Sequence, residues 1–283
     1  MDYVLLALTA LTVACQNITK KLFSKKSAVG VFFYSGMISM FAMLFFVVIN
    51  DDWTFHPEQL GYSFGFAVSY IGFTLFGVLA MKEGSLAKTA LVMSSSLLIP
   101  TFYGFLFLNE PVSIALLVGL CLLLIALWLI NYVKESSGAT WKWVIYAFLA
   151  FAGAGMCSVV QRMQNDTFGA EGKNLFMILA LAMVTVILFV VALFSEPERQ
   201  NFGNIVRKGL PLAALCGSFS GLCNMLVMYL NPRVAASVLF PVISGGGVVI
   251  AFLYAVIVLK EKFTLWQKVG YALGVISIVL MNL

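Results

Sequence analysis

The stretch from residue 174 to residue 194 reads NLFMILALAMVTVILFVVALF and contains no charged side chain. At 1.5 Å per residue, a helix of roughly 20 apolar residues crosses the hydrocarbon core of a bilayer, which is about 30 Å thick. Lipid offers the backbone no hydrogen-bond partners, so a run of this length satisfies its N–H and C=O groups as a helix. The run therefore predicts a transmembrane helix.

Similar apolar runs fill most of the chain, and short connectors with Asn, Gly, Pro and charged residues separate them. No connector is long enough to be a soluble domain. The first run has no basic region before it and no convincing cleavage site, so we expect it to remain as helix one. The runs predict an all-α polytopic membrane protein with ten transmembrane helices at 2–20, 28–49, 60–81, 86–108, 112–133, 140–163, 174–194, 210–230, 234–259 and 264–281.

Composition supports this class of protein. Of the 283 residues, 62% are hydrophobic and 10% are charged, whereas soluble domains carry roughly 45–50% apolar and about 25% charged residues. The net charge of +5 is small and spread over short connectors, which does not favour a nucleic-acid partner. All five cysteines lie in apolar runs without metal-ligand spacing, so we expect free thiols and no metal or other cofactor.

The two halves of the chain resemble each other weakly. A shift of 151 residues superimposes Ser94, Ser95 and Ser96 on Gly245, Gly246 and Gly247, and a shift of 142 superimposes Lys20 on Arg162. Internal repeats of this kind mark many transporter folds. We predict two five-helix repeats, residues 1–136 and 137–283. Because five is odd, the second repeat enters the membrane from the opposite side, which makes the repeats inverted.

The distribution of basic residues predicts an orientation. If the amino terminus lies outside the cytoplasm, fourteen Lys and Arg residues, Lys20 and Lys21 among them, fall at the inside connectors. Only Arg162, Lys173 and Arg233 then fall outside. Cytoplasmic connectors carry an excess of Lys and Arg, so the sequence predicts that both termini lie outside.

A second pattern recurs in both halves: Leu86-Ala87-Lys88-Thr89-Ala90, Pro100, Leu108-Asn109-Glu110 and Gly119 are followed later by Val234-Ala235-Ala236, Leu259-Lys260-Glu261 and Gly270. With ten predicted helices, the whole chain resembles the EamA-like branch of the drug/metabolite transporter superfamily. The resemblance implies a central cavity lined mainly by helices one, three, four, six, eight and nine. It also implies cargo such as amino acids, sugars, nucleotide precursors or drugs, and it implies cytoplasmic termini, in conflict with the charge distribution.

Neutral polar side chains inside the predicted helices are candidates for substrate binding. An amide in lipid is costly unless it finds a partner, so these groups should face the bundle interior. Hydrogen bonding between helices and lining of a substrate cavity are both open. The candidates are Gln16, Asn17, Tyr70, Thr74, Tyr103, Gln161, Asn224 and Tyr229.

Two cations, Lys88 and Arg162, complete the candidate substrate-binding set. Each lies close to a helix end, where the side chain could reach the membrane interface. Alternatively, one of them meets an anionic group of the substrate. All twelve acids lie in connectors or at helix ends, and a mid-membrane carboxylate is the usual device for proton-coupled export of organic cations. Multidrug efflux is therefore disfavoured.

Small residues and repeated acids suggest structural roles. Ser94, Ser95 and Ser96 and Gly245, Gly246 and Gly247 would let predicted helices four and nine cross closely, or the glycines would form a hinge with Pro241. Glu110 and Glu261 should lie in the first turn of the following helix and complement its dipole. The alternative is a gate in which either acid pairs with a lysine.

These features predict a secondary transporter, an exporter or exchanger of a small polar metabolite such as an amino acid, in a prokaryotic cell membrane. The chain contains no GxxxxGK[ST] loop for a nucleotide. A translocase for a lipid or lipid-linked intermediate is the alternative, and an enzyme is disfavoured because the only histidine, His56, lies in a connector. The expected partners are a small-molecule substrate and the lipid bilayer; a monomer and a homodimer are both open.

Overall fold

The computed structural model describes residues 2–27, 29–107, 113–132, 140–169, 171–230, 233–234, 236–261 and 263–280. These residues form helices and no strand. The helices are α1 (Asp2–Lys26), α2 (Val31–Ile49), α3 (Gln59–Glu83), α4 (Leu86–Ser94), α5 (Leu98–Phe107), α6 (Ile114–Tyr132), α7 (Trp141–Phe168), α8 (Lys173–Phe194), α9 (Glu196–Gln200), α10 (Phe202–Leu230), α11 (Ala236–Ile257) and α12 (Leu265–Leu280). A 3₁₀ turn, Ser95–Leu97, joins α4 to α5.

Seven helices within the described residues are long and apolar enough to cross a membrane. They are Tyr3–Lys26, Val31–Ile49, Gln59–Glu83, Leu86–Gly104, Trp141–Phe168, Lys173–Phe194 and Phe202–Leu230. The helices α6, α11 and α12 lie where spans five, nine and ten are predicted but are not among the seven. The protein is therefore an all-helical, multi-pass membrane protein, and the number of ten spans stays a prediction.

Three predicted helix ends are wrong by more than one turn. Helix α1 continues to Lys26 instead of ending at residue 20, α7 continues to Phe168 instead of ending at residue 163, and α10 begins at Phe202 instead of residue 210. In all three places the prediction treated polar or charged residues as connector. Lysines and arginines are good helix formers, and the ammonium of Lys21 finds carbonyl partners inside the bundle, so the helices continue through these charges.

Helix packing is repeated between the two halves. In the first half, α1 packs on α10 and α11, and in the second half α7 packs on α3 and α4. The pair α2 and α10 corresponds in the same way to α8 and α3. Three further pairs, α2 with α8, α4 with α11 and α6 with α12, join equivalent helices of the two halves. The internal repeat suggested by the sequence is thus visible in the packing.

Glycines permit the closest helix crossings. A Cβ at Gly153 of α7 would lie 2.4 Å from the Phe73 nitrogen and 2.6 Å from the Ser69 oxygen of α3. Such distances are shorter than any van der Waals contact, so only glycine lets the two backbones approach this closely.

The large side chains on the outer surface are mostly apolar, as expected for a bundle that faces lipid.

The predicted small-residue crossing involves a different partner helix. A Cβ at Gly246 of α11 would lie 2.7 Å from the Ala10 Cβ, and one at Gly247 would lie 3.1 Å from the Val13 Cγ1, both on α1. Gly245 is also buried. These glycines therefore let α11 approach α1, although α4 and α11 also pack on each other. Pro241 lies within α11, and its side chain is outside the described part of the chain.

Candidate functional site

A cavity of about 160 Å³ lies between six helices. Side chains of α1, α3, α4 with its 3₁₀ turn, α7, α10 and α11 form its wall. These are the helices one, three, four, six, eight and nine that the family resemblance implies. The wall residues are Val13, Gln16, Asn17, Phe66, Tyr70, Phe73, Met93, Ser94, Ser96, Ala154, Cys157, Ser158, Gln161, Ser220, Cys223, Asn224, Val227, Ile243 and Ser244.

A chain of hydrogen bonds joins three sides of the cavity. Gln161 Nε2 of α7 donates to Asn224 Oδ1 of α10 over 2.9 Å. Asn224 Nδ2 donates to the Ser220 carbonyl oxygen over 2.8 Å, and the hydroxyls of Ser220 and Tyr70 lie 2.7 Å apart. The side-chain amides of Gln161 and Asn224 thus form a hydrogen bond between two helices and also line the cavity. The sequence left open which of these two roles such amides have, and these two residues have both.

Helix α1 and the 3₁₀ turn supply the remaining polar wall. Gln16 Nε2 donates to the Phe219 carbonyl oxygen over 3.5 Å, and Asn17 follows it in the wall. Ser94 and Ser96 also line the cavity, whereas the Ser95 hydroxyl donates to the Leu91 carbonyl oxygen over 2.9 Å. Two of the three serines predicted at a helix crossing therefore face the cavity.

The other five predicted substrate-binding residues do not lie in the wall of this cavity. Thr74 is buried one turn beyond Tyr70 on α3, and Lys88 is buried near the start of α4. The ring of Tyr103 stacks on Phe107, with centroids 5.3 Å apart. Arg162 follows Gln161 but is turned away from the wall, because consecutive residues on a helix point about 100° apart.

Tyr229, the fifth, is directed toward the end of the bundle. Its side chain is 38% exposed, and its hydroxyl accepts a hydrogen bond from the Arg233 guanidinium. The guanidinium carbon also lies 3.8 Å from the centre of the tyrosine ring. Tyr229 is therefore part of a contact at the end of α10.

Lys20 is a residue near the cavity that sequence reasoning assigned to a connector. It lies one turn beyond Gln16 on the same face of α1 and is only 1% exposed. Its Nζ has no hydrogen-bond partner among the described residues and lies 4.0 Å from the centre of the Phe73 ring, which lines the cavity. The four-residue spacing from Gln16 was the signal that could have identified it. Arg162, its partner in the sequence repeat, is half-buried.

The neighbouring Lys21 has a different environment, the α3–α4 turn around Gly84. Its Nζ donates to the carbonyl oxygens of Met81 over 2.8 Å and of Gly84 over 2.5 Å. In the same turn, Glu261 Oε1 accepts from the Leu86 N–H over 3.3 Å. The prediction that Glu261 lies in the first turn of the next helix is wrong, because α12 begins at Leu265; Glu261 caps α4 instead. Glu110 lies outside the described residues.

Two further acids join the halves of the chain outside the spans. The Glu198 carboxylate accepts from the N–H groups of Phe32 and Phe33, over 3.0 and 2.9 Å, at the start of α2. Burial raises the pKa of the Glu198 carboxyl, and these N–H groups partly oppose the shift. Asp52 accepts from the Gly172 N–H over 3.1 Å. Hydrogen bonds from Thr54 and Gly172 lower the pKa of Asp52 to about 2.

The fold and the cavity define a class of protein: a helical membrane protein whose two repeats surround a central cavity lined by both polar and apolar side chains. The chain belongs to the EamA-like transporter family, whose model matches residues 2–132 and 141–283, once in each half. The predicted family resemblance is therefore confirmed. Members of this family are transporters of the drug/metabolite type.

A solved structure, titled only "Crystal structure of protein", shares the fold. It superimposes with a TM-score of 0.65 at 16% sequence identity, over 97% of this chain and 95% of that chain. At this identity the likeness establishes the architecture alone. No curated protein matches the sequence.

Proposed function

We propose that this protein is a secondary transporter that moves a small polar metabolite, such as an amino acid, by alternating access. The observation that carries the proposal is the central cavity, whose polar wall is built from both repeats. Two repeats around one central site can expose that site to either side of the membrane in turn. The same proposal places the protein in a prokaryotic cell membrane, since its connectors are short.

The size and chemistry of the cavity favour a small polar cargo. Its volume of about 160 Å³ is below the roughly 300–1,000 Å³ of pockets that hold drug-sized molecules. Amides and hydroxyls from α1, α3, α7 and α10 face it, and such groups fix the orientation of a polar ligand by hydrogen bonds. Both properties support a metabolite over a bulky drug or a lipid.

Binding and exchange by the purified protein test the proposal. The protein is screened by thermal unfolding against neutral sugars, amino acids, organic acids and sugar phosphates, because a ligand at 100 times its Kd stabilises the folded state by about 2.7 kcal/mol. Solutes that raise the unfolding temperature are then tested for counterflow in liposomes. We expect at least one small polar solute to give both signals.

Two variants of α10 provide a matched comparison. Asn224→Leu changes a residue of the cavity wall, whereas Tyr229→Phe changes a residue of the same helix outside it. We expect the first variant to weaken binding at least tenfold and the second to leave it unchanged. Stabilisation and transport by a lipid phosphate, with none by any polar solute, would overturn the proposal in favour of a lipid translocase.

A further inference from the structure

Lys20 carries an amino group that the described residues leave without a hydrogen bond. The side chain is 1% exposed, and its Nζ has no hydrogen-bond partner in the part of the chain that the structure describes. Nζ lies 4.0 Å from the centre of the Phe73 ring, over its face. When protonated, Lys20 is therefore a buried cation in contact with an aromatic ring.

The energetics argue against a structural role for this charge. Removing an ammonium from water costs more free energy, even after the protein relaxes, than a cation–π contact returns. A methionine could fill the same space without that penalty. The empty fold thus does not gain from a charge at this position.

The ammonium lies just behind the cavity wall. Its Nζ is 3.7 Å, and the Met93 terminal methyl 3.0 Å, from the position that a Cβ on Gly77 would occupy. Both Phe73 and Met93 line the cavity, so Nζ lies against the back of two wall side chains. A lysine stem has four methylene groups and is flexible, and methionine adapts its shape readily. The ammonium would reach the cavity by a change of rotamers at Lys20 and Met93.

The wall is suited to an anion. Its described residues include no Asp or Glu, so a negative group entering the cavity meets no like charge from them. The amides of Gln16, Asn17 and Asn224 can donate hydrogen bonds to the oxygens of the same solute. The charge-assisted bond from an ammonium to an oxyanion is about twice as strong as a neutral hydrogen bond.

We propose that Lys20 binds the oxyanion of the transported solute, so that the substrate class is small molecules with a carboxylate or phosphate group. This inference rests on the proposed function and adds the charge of the cargo to it. Lys20 would then be the cation that contacts the anionic group of the substrate, a role for which the sequence had suggested Lys88 or Arg162. The neutral polar wall then binds the remainder of the solute.

The test compares probes of different charge on the full-length protein in detergent and in liposomes. The probes are alanine, succinate, glycerol 3-phosphate and glucose. We expect a carboxylate or a phosphate probe, and not glucose, to stabilise the wild type and to exchange across the liposome membrane. Comparison of the carboxylate probes, alanine and succinate, with the phosphate probe, glycerol 3-phosphate, shows which of the two anionic groups the protein binds.

Substitution of Lys20 then identifies the binding cation. We expect Lys20→Met to weaken binding of the active probe at least tenfold without lowering the unfolding temperature of the empty protein. Lys20→Arg keeps the positive charge and should bind the active probe at least tenfold more tightly than Lys20→Met does. Lys142→Met, which removes an exposed lysine of α7, is the control and should bind as the wild type does. If Lys20→Met does not fold, Lys20→Gln replaces it in the comparison with Lys20→Arg.

The outcomes separate this inference from the proposed function. If Lys20→Met or Lys20→Gln binds the anionic probe as tightly as Lys20→Arg does, Lys20 does not hold the anion. If glucose alone binds and exchanges, the protein is a transporter of polar solutes but the anion proposal fails. If no polar solute of the wider panel binds or exchanges, the proposed function itself fails.

Discussion

Two adjacent lysines of α1, Lys20 and Lys21, differ in how well their surroundings satisfy the ammonium group. Lys21 reaches the α3–α4 turn, where it donates to two carbonyl oxygens and where Glu261 caps the start of α4. Lys20 reaches the back of the cavity wall, where its Nζ has no hydrogen bond to any described residue. In the turn, the ammonium of Lys21 and the carbonyl oxygens bond to each other, and these bonds stabilise the fold. In the cavity, polar groups still have donors and acceptors available for hydrogen bonds to a solute, as a binding site requires.

The largest effect that tests this contrast should come from Lys21→Met. The substitution leaves the Gly84 carbonyl oxygen without its lysine donor and the Met81 carbonyl oxygen with only the 3.5 Å hydrogen bond from the Ser24 hydroxyl, and an unsatisfied buried polar group costs about 1–3 kcal/mol. We expect the free energy of unfolding to fall by about 3 kcal/mol, measured by thermal unfolding in detergent. Lys25→Met, at an exposed position of the same helix, is the control. An unchanged unfolding temperature in Lys21→Met would show that the hydrogen bonds of Lys21 do not stabilise the fold, and the proposed difference between the turn and the cavity would be wrong.

A smaller effect should come from the amide pair in the cavity. In a double-mutant cycle of Gln161→Leu and Asn224→Leu, we expect a coupling free energy of about 1 kcal/mol, the size usual for polar contacts between membrane helices. Unfolding of the two single variants and the double variant gives this value. A coupling as large as the loss in Lys21→Met would show that the cavity amides stabilise the fold as strongly as the turn does.

A still smaller change in stability should follow Lys20→Met. The substitution conserves most of the volume of the side chain, and swaps of this kind between apolar residues usually cost less than about 1.5 kcal/mol. It also removes an unpaired buried charge, which offsets that cost. We expect the unfolding temperature of the empty protein to be equal to or above that of the wild type. A fall comparable to that of Lys21→Met would mean that Lys20 is a structural residue after all.

The smallest effect should appear at Asp52, on the exposed second connector. Its pKa is lowered to about 2, first by the Thr54 hydroxyl and then by the Gly172 N–H. A carboxyl with a lowered folded-state pKa stabilises the fold above its ordinary value near 4 and loses that contribution as the pH falls through 2. The difference in unfolding temperature between wild type and Asp52→Asn should therefore shrink between pH 5 and pH 2. A constant difference over this range would contradict the assignment.

The sequence predicted the helices well where lipid dictates them. A run such as residues 174–194 has no alternative to a helix in a bilayer, and α8 matches it to within one residue. The ends of α1 and α10 were wrong because a charge was taken as a connector. Whether a lysine ends a span depends on partners such as the Gly84 carbonyl oxygen, which only the folded bundle brings to it.

The sequence predicted which types of side chain line the cavity, but it did not predict which of the candidate residues face it. Gln161 and Arg162 are neighbours in the sequence, yet only Gln161 lies in the wall, because the face that a helix presents to its neighbours depends on packing. Tyr70 and Tyr103 are chemically alike, and their different surroundings are equally a matter of depth and rotation. Lys20 was missed for the same reason, although its spacing from Gln16 places the two residues on one helix face.

The repeat partners Lys20 and Arg162 have one consequence for the empty protein. They occupy matching positions of the two halves, but Lys20 is buried without a hydrogen bond to the described residues, and Arg162 is half-buried. Under the proposed inverted arrangement, the two access states exchange the surroundings of the halves, so these cations make the states unequal in free energy. A difference of about 1.4 kcal/mol would hold the empty protein in one state at a population ratio of ten to one. A bound anion that neutralises Lys20 would then move this ratio toward equality.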